Sequence, residues 1–163
     1  MNLKTPVIAL LAVALVAPLA LLARADADVV AAPTADQSTT SKLVYGLLSD
    51  SRYAYRPRAL DDTLSEDVFK RYLEALDGGK QYFTAADIEK FGPLKTEMDD
   101  AIRSGELAPA YDIFAVYKQR VGERVAYARD LLKQDFDFTG DQRWEYDREE
   151  APWAANAKEL DEV

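Results

Sequence analysis

The sequence contains no cysteine and no histidine. Without cysteine there is no disulfide framework, no thiolate nucleophile and no thiolate metal site. Without histidine there is no Ser/His/Asp triad, no HExxH zinc site and no imidazole acid or base. Strand-like alternation is missing, as is any internal repeat of convincing period, which removes solenoid architectures. No glycine-rich stretch lies beside a serine where an oxyanion hole would be needed. No cysteine follows the N-terminal apolar run to accept a lipid. What remains is a chain of 163 residues with a formal net charge of −9. That length gives room for one domain with a core of its own. The negative surface repels phosphate and anionic lipid, so nucleic acid is not an expected partner.

Lys4 and the amino terminus precede an apolar run from Val7 to Ala23, and Ala23-Arg24-Ala25 sets small residues where a signal peptidase reads. Residues 1–25 therefore read as a cleavable secretory signal peptide. Pro18 and the small-residue exit favour cleavage over an uncleaved anchor, the one route by which a membrane would be involved. Residues 26–40, rich in Ala, Asp, Thr and Ser, read as a flexible leader.

From Ser41 to Gln134 the pattern is helical throughout and predicts about five helices. Leu43, Val44, Leu47 and Leu48 form the first stripe. A second helix is expected from Ser65, whose hydroxyl would cap it, to Asp77-Gly78-Gly79, where a left-handed glycine would end it. Its buried face is Val68, Phe69, Tyr72, Leu73 and Leu76. Thr84 and Asp87 have capping-box spacing, with Phe83 and Ile88 placed for a hydrophobic staple. Pro93 opens a fourth helix that Gly105 stops, with Asp99 and Arg103 one turn apart. The fifth runs from about Pro109 to Gln134, with a seam of Phe114, Tyr117, Val121, Val125, Ala128 and Leu132. The expected fold is all-α, an antiparallel helical domain with short connections.

Residues 135–163 form an aromatic and acidic tail. Asp135 to Asp141 imitates the start of a calcium loop, but Tyr146 stands where a bidentate Glu is required, and Gln142 replaces the usual aliphatic. The expectation is a helix exit with Phe136 and Phe138 packed and Asp135 and Asp137 in water, and no metal site. Asp61-Asp62, Asp99-Asp100 and Glu149-Glu150 are adjacent pairs that diverge on a helix, so they read as solvated surface rather than an acid/base pair. Lys118, Arg120, Arg124, Arg129 and Lys133 cluster on the fifth helix, free to pair with residues 141–150 or to face another domain. Ser38, Ser41, Ser49, Ser51, Ser65 and Ser104 sit in the leader or at helix ends, where capping suffices to explain them. Trp144, Tyr146 and Trp153 are costly to leave in water, and either cover the helices or meet a partner.

The stretch DFDFTGDQRWEYDREEAPW from Asp135 to Trp153, with its Asp147-Arg148 pair, resembles a segment of the tail-specific (carboxy-terminal processing) proteases of Gram-negative bacteria. Val68-Phe69-Lys70-Arg71-Tyr72-Leu73 with Leu76-Asp77 adds to the resemblance, as do Ala86-Asp87-Ile88 with Phe91, Arg103-Ser104-Gly105-Glu106-Leu107 and Tyr111-Asp112-Ile113. Where the family often has His beside Tyr, this sequence has Ser51-Arg52-Tyr53. The resemblance implies the non-catalytic N-terminal domain of a periplasmic serine endopeptidase whose PDZ module and Ser/Lys peptidase core lie beyond this sequence. It implies no catalytic residue or cofactor here. Expected partners are those modules, polypeptide substrates and, in some members, a lipoprotein adaptor. Trp144, Tyr146, Asp147, Arg148 and Trp153 are the candidate contacts. The alternative is a stand-alone periplasmic helical protein that binds and regulates a protease or another partner.

Overall fold

The structure is a computed structural model that describes residues 32–137, 139–141 and 143–163. The expected signal peptide, the first part of the leader, Phe138 and Gln142 lie outside the described residues. Among the described residues six α-helices carry the fold: α1 Ala35–Ser49, α2 Asp62–Asp77, α3 Ala85–Phe91, α4 Met98–Ser104, α5 Ala108–Leu131 and α6 Ala157–Leu160. A 3-10 segment, Gly92–Thr96, joins α3 to α4. The domain is all-α. Among the described residues no helix is long and apolar enough to cross a membrane.

α1 begins before the expected Ser41. Thr34 and Gln37 close a capping box, each side chain satisfying the other residue's backbone N–H, so Ala35 to Thr40 are helical. α2 begins at Asp62, because Asp61 and not Ser65 accepts the free N–H of Leu64. Ser65 lies one turn inside and is fully buried. Its hydroxyl donates to the Lys95 carbonyl at 2.9 Å and accepts from Met98 N at 2.8 Å and Asp99 N at 3.4 Å. No side chain of its own caps α4, so Ser65 does this from the neighbouring helix. The residue is a cap, as expected, but of another helix.

The core is formed by Phe69, Leu73, Phe83, Phe91, Met98 and Ile113, with Val68, Tyr72, Leu76, Ile88, Val116 and Tyr117 packed around them. Phe83 has no exposed surface and meets Phe91 edge-on at 5.4 Å. Burying one such ring contributes about 2–3 kcal/mol. α2 packs on the 3-10 segment and α4, and α1 also packs on α4. The stripe foreseen for α2 is the one used. On α5 the foreseen seam is used only in part: Tyr117 packs on the core and Val121 is half-buried, but Phe114, Val125 and Leu132 are exposed, and the core side chain is Ile113, with Val116 beside it. The helix is rotated from the expected orientation by about one residue's step, roughly 100°.

α2 does not end on a left-handed glycine. Gly78 is right-handed at φ −61°, and the left-handed residue is Lys80 at φ 51°. Asp77 sets this turn. Its buried carboxylate accepts from the backbone N–H groups of Gln81 at 2.7 Å, Tyr82 at 3.0 Å and Phe83 at 2.8 Å. Three such bonds offset the modest cost of a left-handed lysine.

Candidate interdomain surface

The turn made by Asp77 places the Gly79 carbonyl and the Lys80 side chain outside the core, and the tail closes over them. Arg148 Nε donates to the Gly79 carbonyl at 3.2 Å, and Lys80 Nζ donates to the Glu149 carbonyl. The Lys80 ammonium also lies 5.5 Å from the centre of the Trp153 ring. Trp153 packs on Phe83 at 6.1 Å, and Ala85 N donates to the Ala154 carbonyl at 2.8 Å in a single parallel bridge. Asn156 caps α6, which buries Leu160. Asp161 then meets Arg124 of α5 at 2.5 Å. These contacts fasten both ends of the stretch from Arg148 to Asp161.

The five candidate contacts therefore fall into two groups. Arg148 and Trp153 belong to the fastening. Trp144, Tyr146 and Asp147 face outward, Trp144 with 62% and Tyr146 with 78% of its surface exposed. The Trp144 indole N–H donates to the Val163 carbonyl at 2.9 Å, and Asp147 N donates to Glu145 Oε1 at 3.3 Å. Beside Trp144 runs an open groove of about 330 Å³ whose lining includes Tyr82, Arg124, Val125, Ala128 and Val163. Phe136, expected to pack, is also exposed. Asp137 accepts from the Thr139 hydroxyl and N–H, which hold its carboxyl below the usual range.

The acidic residues are less uniformly solvated than their pairing suggested. Asp87 is buried at the start of α3, and Arg120 reaches it from α5 through two bonds of 2.8 and 2.9 Å. Burial pushes the Asp87 carboxyl up, but the guanidinium and the Thr84 N–H and hydroxyl together hold it below its usual value. Arg120 is pushed up by its bond to Asp87 and then by Glu123. Glu123 in turn is held down by Gln119 and Arg120. Asp99 is buried as well. Arg103 touches its Oδ2 at 3.4 Å, while Oδ1 has no partner.

Arg120 pairs with Asp87 and Glu123, Arg124 with Asp161, and Lys133, just past the end of α5, with Asp130. Among the described residues no three acidic side chains converge on a metal position. Ser38, Ser41, Ser49, Ser65 and Ser104 all donate to backbone carbonyls. Sequence reasoning missed Asp77 and Asp99 as buried groups. For Asp87 the signal was present in the capping box, while its arginine lies 33 positions away.

The described residues thus form an all-α domain with the Asp87–Arg120 pair joining two of its helices and Trp144 and Tyr146 exposed. The family model described as the tail specific protease N-terminal domain matches residues 47–163. The tail-specific protease of Haemophilus influenzae is 39% identical over 101 residues, covering 60% of this chain. The chain belongs to the tail-specific protease family, in which it corresponds to the N-terminal domain. The matched stretch spans 14% of that relative's length.

Proposed function

We propose that this domain acts as a non-catalytic brace in an exported tail-specific serine endopeptidase, holding the PDZ and peptidase modules for proteolysis directed to substrate C-termini. The reading is supported chiefly by the division of the tail. Its second half is fastened to the helices, while Trp144 and Tyr146 are held out at the surface. A brace needs a rigid footing and an exposed contact, and this arrangement supplies both. The compartment that goes with the reading is the periplasm, reached by a cleaved signal peptide. Polypeptide substrates, and a lipoprotein adaptor in some settings, are the partners of the assembled enzyme.

The test uses the portion of the Haemophilus influenzae protease outside the matched region, assayed on a peptide with an apolar C-terminus. The purified chain alone is expected to give no turnover, and its addition in trans should raise turnover by that portion. Turnover by the chain alone would make it an enzyme and end the proposal. An unchanged rate on addition would remove the bracing role.

A further inference from the structure

α1 presents its polar side to the domain. With about 100° between successive residues, Ser38, Ser41, Lys42 and Tyr45 share one side of the helix. Ser38 Oγ donates to the Gly105 carbonyl at 2.7 Å, and Ser41 Oγ donates to the Ile102 carbonyl at 2.9 Å. The Arg103 guanidinium lies 5.6 Å from the centre of the Tyr45 ring. Leu43 and Leu47 stand on the opposite side, and Val44 and Leu48 lie on one flank between them and Ser41. Their exposures are 63, 55, 42 and 49% in that order. No residue of α1 is buried. A groove of about 380 Å³, lined in part by Val44, Ile102 and Leu107, runs along the flank of this stripe.

The loop after α1 extends the same surface. Arg58 N donates to the Leu48 carbonyl at 3.2 Å, which ties the loop to the end of the helix. Tyr53 and Tyr55 are exposed, with the Arg52 and Arg56 guanidinium groups 5.5 and 5.9 Å from their ring centres. Residues 42–58 hold four basic side chains and one acidic, in a chain of net charge −9. The acidic one, Asp50, is taken by Arg52 at 2.6 Å. Aliphatic side chains bordered by Tyr and Arg are the composition of a protein interface core. A helix lying on a bilayer carries Lys and Arg on its polar face. The polar face of α1 holds a single lysine, Lys42, and its Ser38 and Ser41 are spent on the end of α4. Two copies meeting through this face would set like charges together.

We propose that the outward face of α1 and the 52–58 loop dock this domain on the remainder of a tail-specific protease, against an apolar patch rimmed by carboxylates. The inference rests on the bracing role proposed above. It selects a surface separate from the Trp144 end. The identity of the occupant follows from scale: residues 47–163 match the tail specific protease N-terminal domain, and the 101 residues aligned with the Haemophilus influenzae protease are 14% of its length.

The experiment immobilises the portion of the Haemophilus influenzae protease outside that region and measures capture of the purified chain. The wild type is compared with Leu43→Glu/Leu47→Glu, Arg52→Glu/Arg56→Glu and Trp144→Ala/Tyr146→Ala. Far-UV circular dichroism and Trp153 emission check that each variant is folded. The leucine pair should weaken capture about 100-fold. The arginine pair should weaken it about 10-fold at low salt and less at high salt. Capture that survives both α1-side variants overturns the inference, and if it then fails with the Trp144 pair the bracing role stands. No capture of folded wild type overturns both. Leucine-dependent binding to vesicles of phosphatidylglycerol and phosphatidylcholine in equal parts, without protein capture, would assign the face to a bilayer and overturn the proposal. A concentration-dependent dimer lost in the leucine variant would overturn it in favour of a second copy.

Discussion

Two residues carry more of the fold than their chemistry advertises. Asp87 caps α3 and also receives Arg120 from α5, with only 8% of its side chain exposed. Asp87→Asn leaves the guanidinium facing a neutral group, a change of the kind that costs about 3 kcal/mol in a buried pair. The carboxyl is held below the ordinary aspartate value of 3.8. Its contribution is therefore complete above pH 3.8 and is lost as pH falls through the lower folded value. Urea midpoints of wild type and Asp87→Asn should differ at pH 7 and converge as the pH drops below about 3.8. A constant gap down to pH 2 would show that the charge of Asp87 is not what stabilises the junction. Ser65→Ala strips the cap from two backbone N–H groups of α4 and from the Lys95 carbonyl. The expected loss is about 2 kcal/mol, since buried groups left unpaired cost roughly 1–3. Faster hydrogen exchange at the Met98 and Asp99 amides would locate it, and an unchanged urea midpoint would refute the shared cap.

At the level of elements, α1 and α5 show what periodicity settles and what it leaves open. Both were legible as helices with an apolar stripe, since spacing of three and four residues needs only local sequence. Which way the stripe faces depends on neighbours. On α5 the residue that enters the core is Ile113, one position before the seam begins, and the far half of the helix has no neighbour that buries Val125 or Leu132. On α1 the stripe faces out because Ser38 and Ser41 satisfy the last carbonyls of α4. That approach depends on Gly105, left-handed at φ 74°, where a Cβ would lie 2.8 Å from the Ser38 carbonyl oxygen. Gly105→Ala should therefore cost more than the roughly 1–2 kcal/mol of a left-handed non-glycine residue, and should release α1. Hydrogen exchange in α1 ought to speed up while the amides of α2 keep their protection, as expected for a local opening. Equal loss of protection in both helices would mean that α1 is not a separable element.

For the whole molecule, the tail decides how the helices are closed, and here sequence spacing had nothing to say. Trp144 and Trp153 are the two tryptophans of the chain, nine positions apart, in similar polar surroundings. Their fates differ because Phe83 and Lys80, some seventy positions earlier, meet one of them and not the other. No local pattern encodes that meeting. It depends on Asp77 holding the turn that aims both residues at the tail. The consequence is an asymmetry that tryptophan itself reports. Trp153→Ala removes a ring from the edge of the core and should lower stability by about 3 kcal/mol. Trp144→Ala, at a surface position, should change it by no more than about 0.5 kcal/mol. With Trp144→Phe in place, the remaining indole should resist acrylamide. With Trp153→Phe, the remaining indole should be quenched readily. Ready quenching of Trp153 in a chain that keeps its helix content would mean that the tail opens in solution. The footing of the proposed brace would then have to come from the partner it meets.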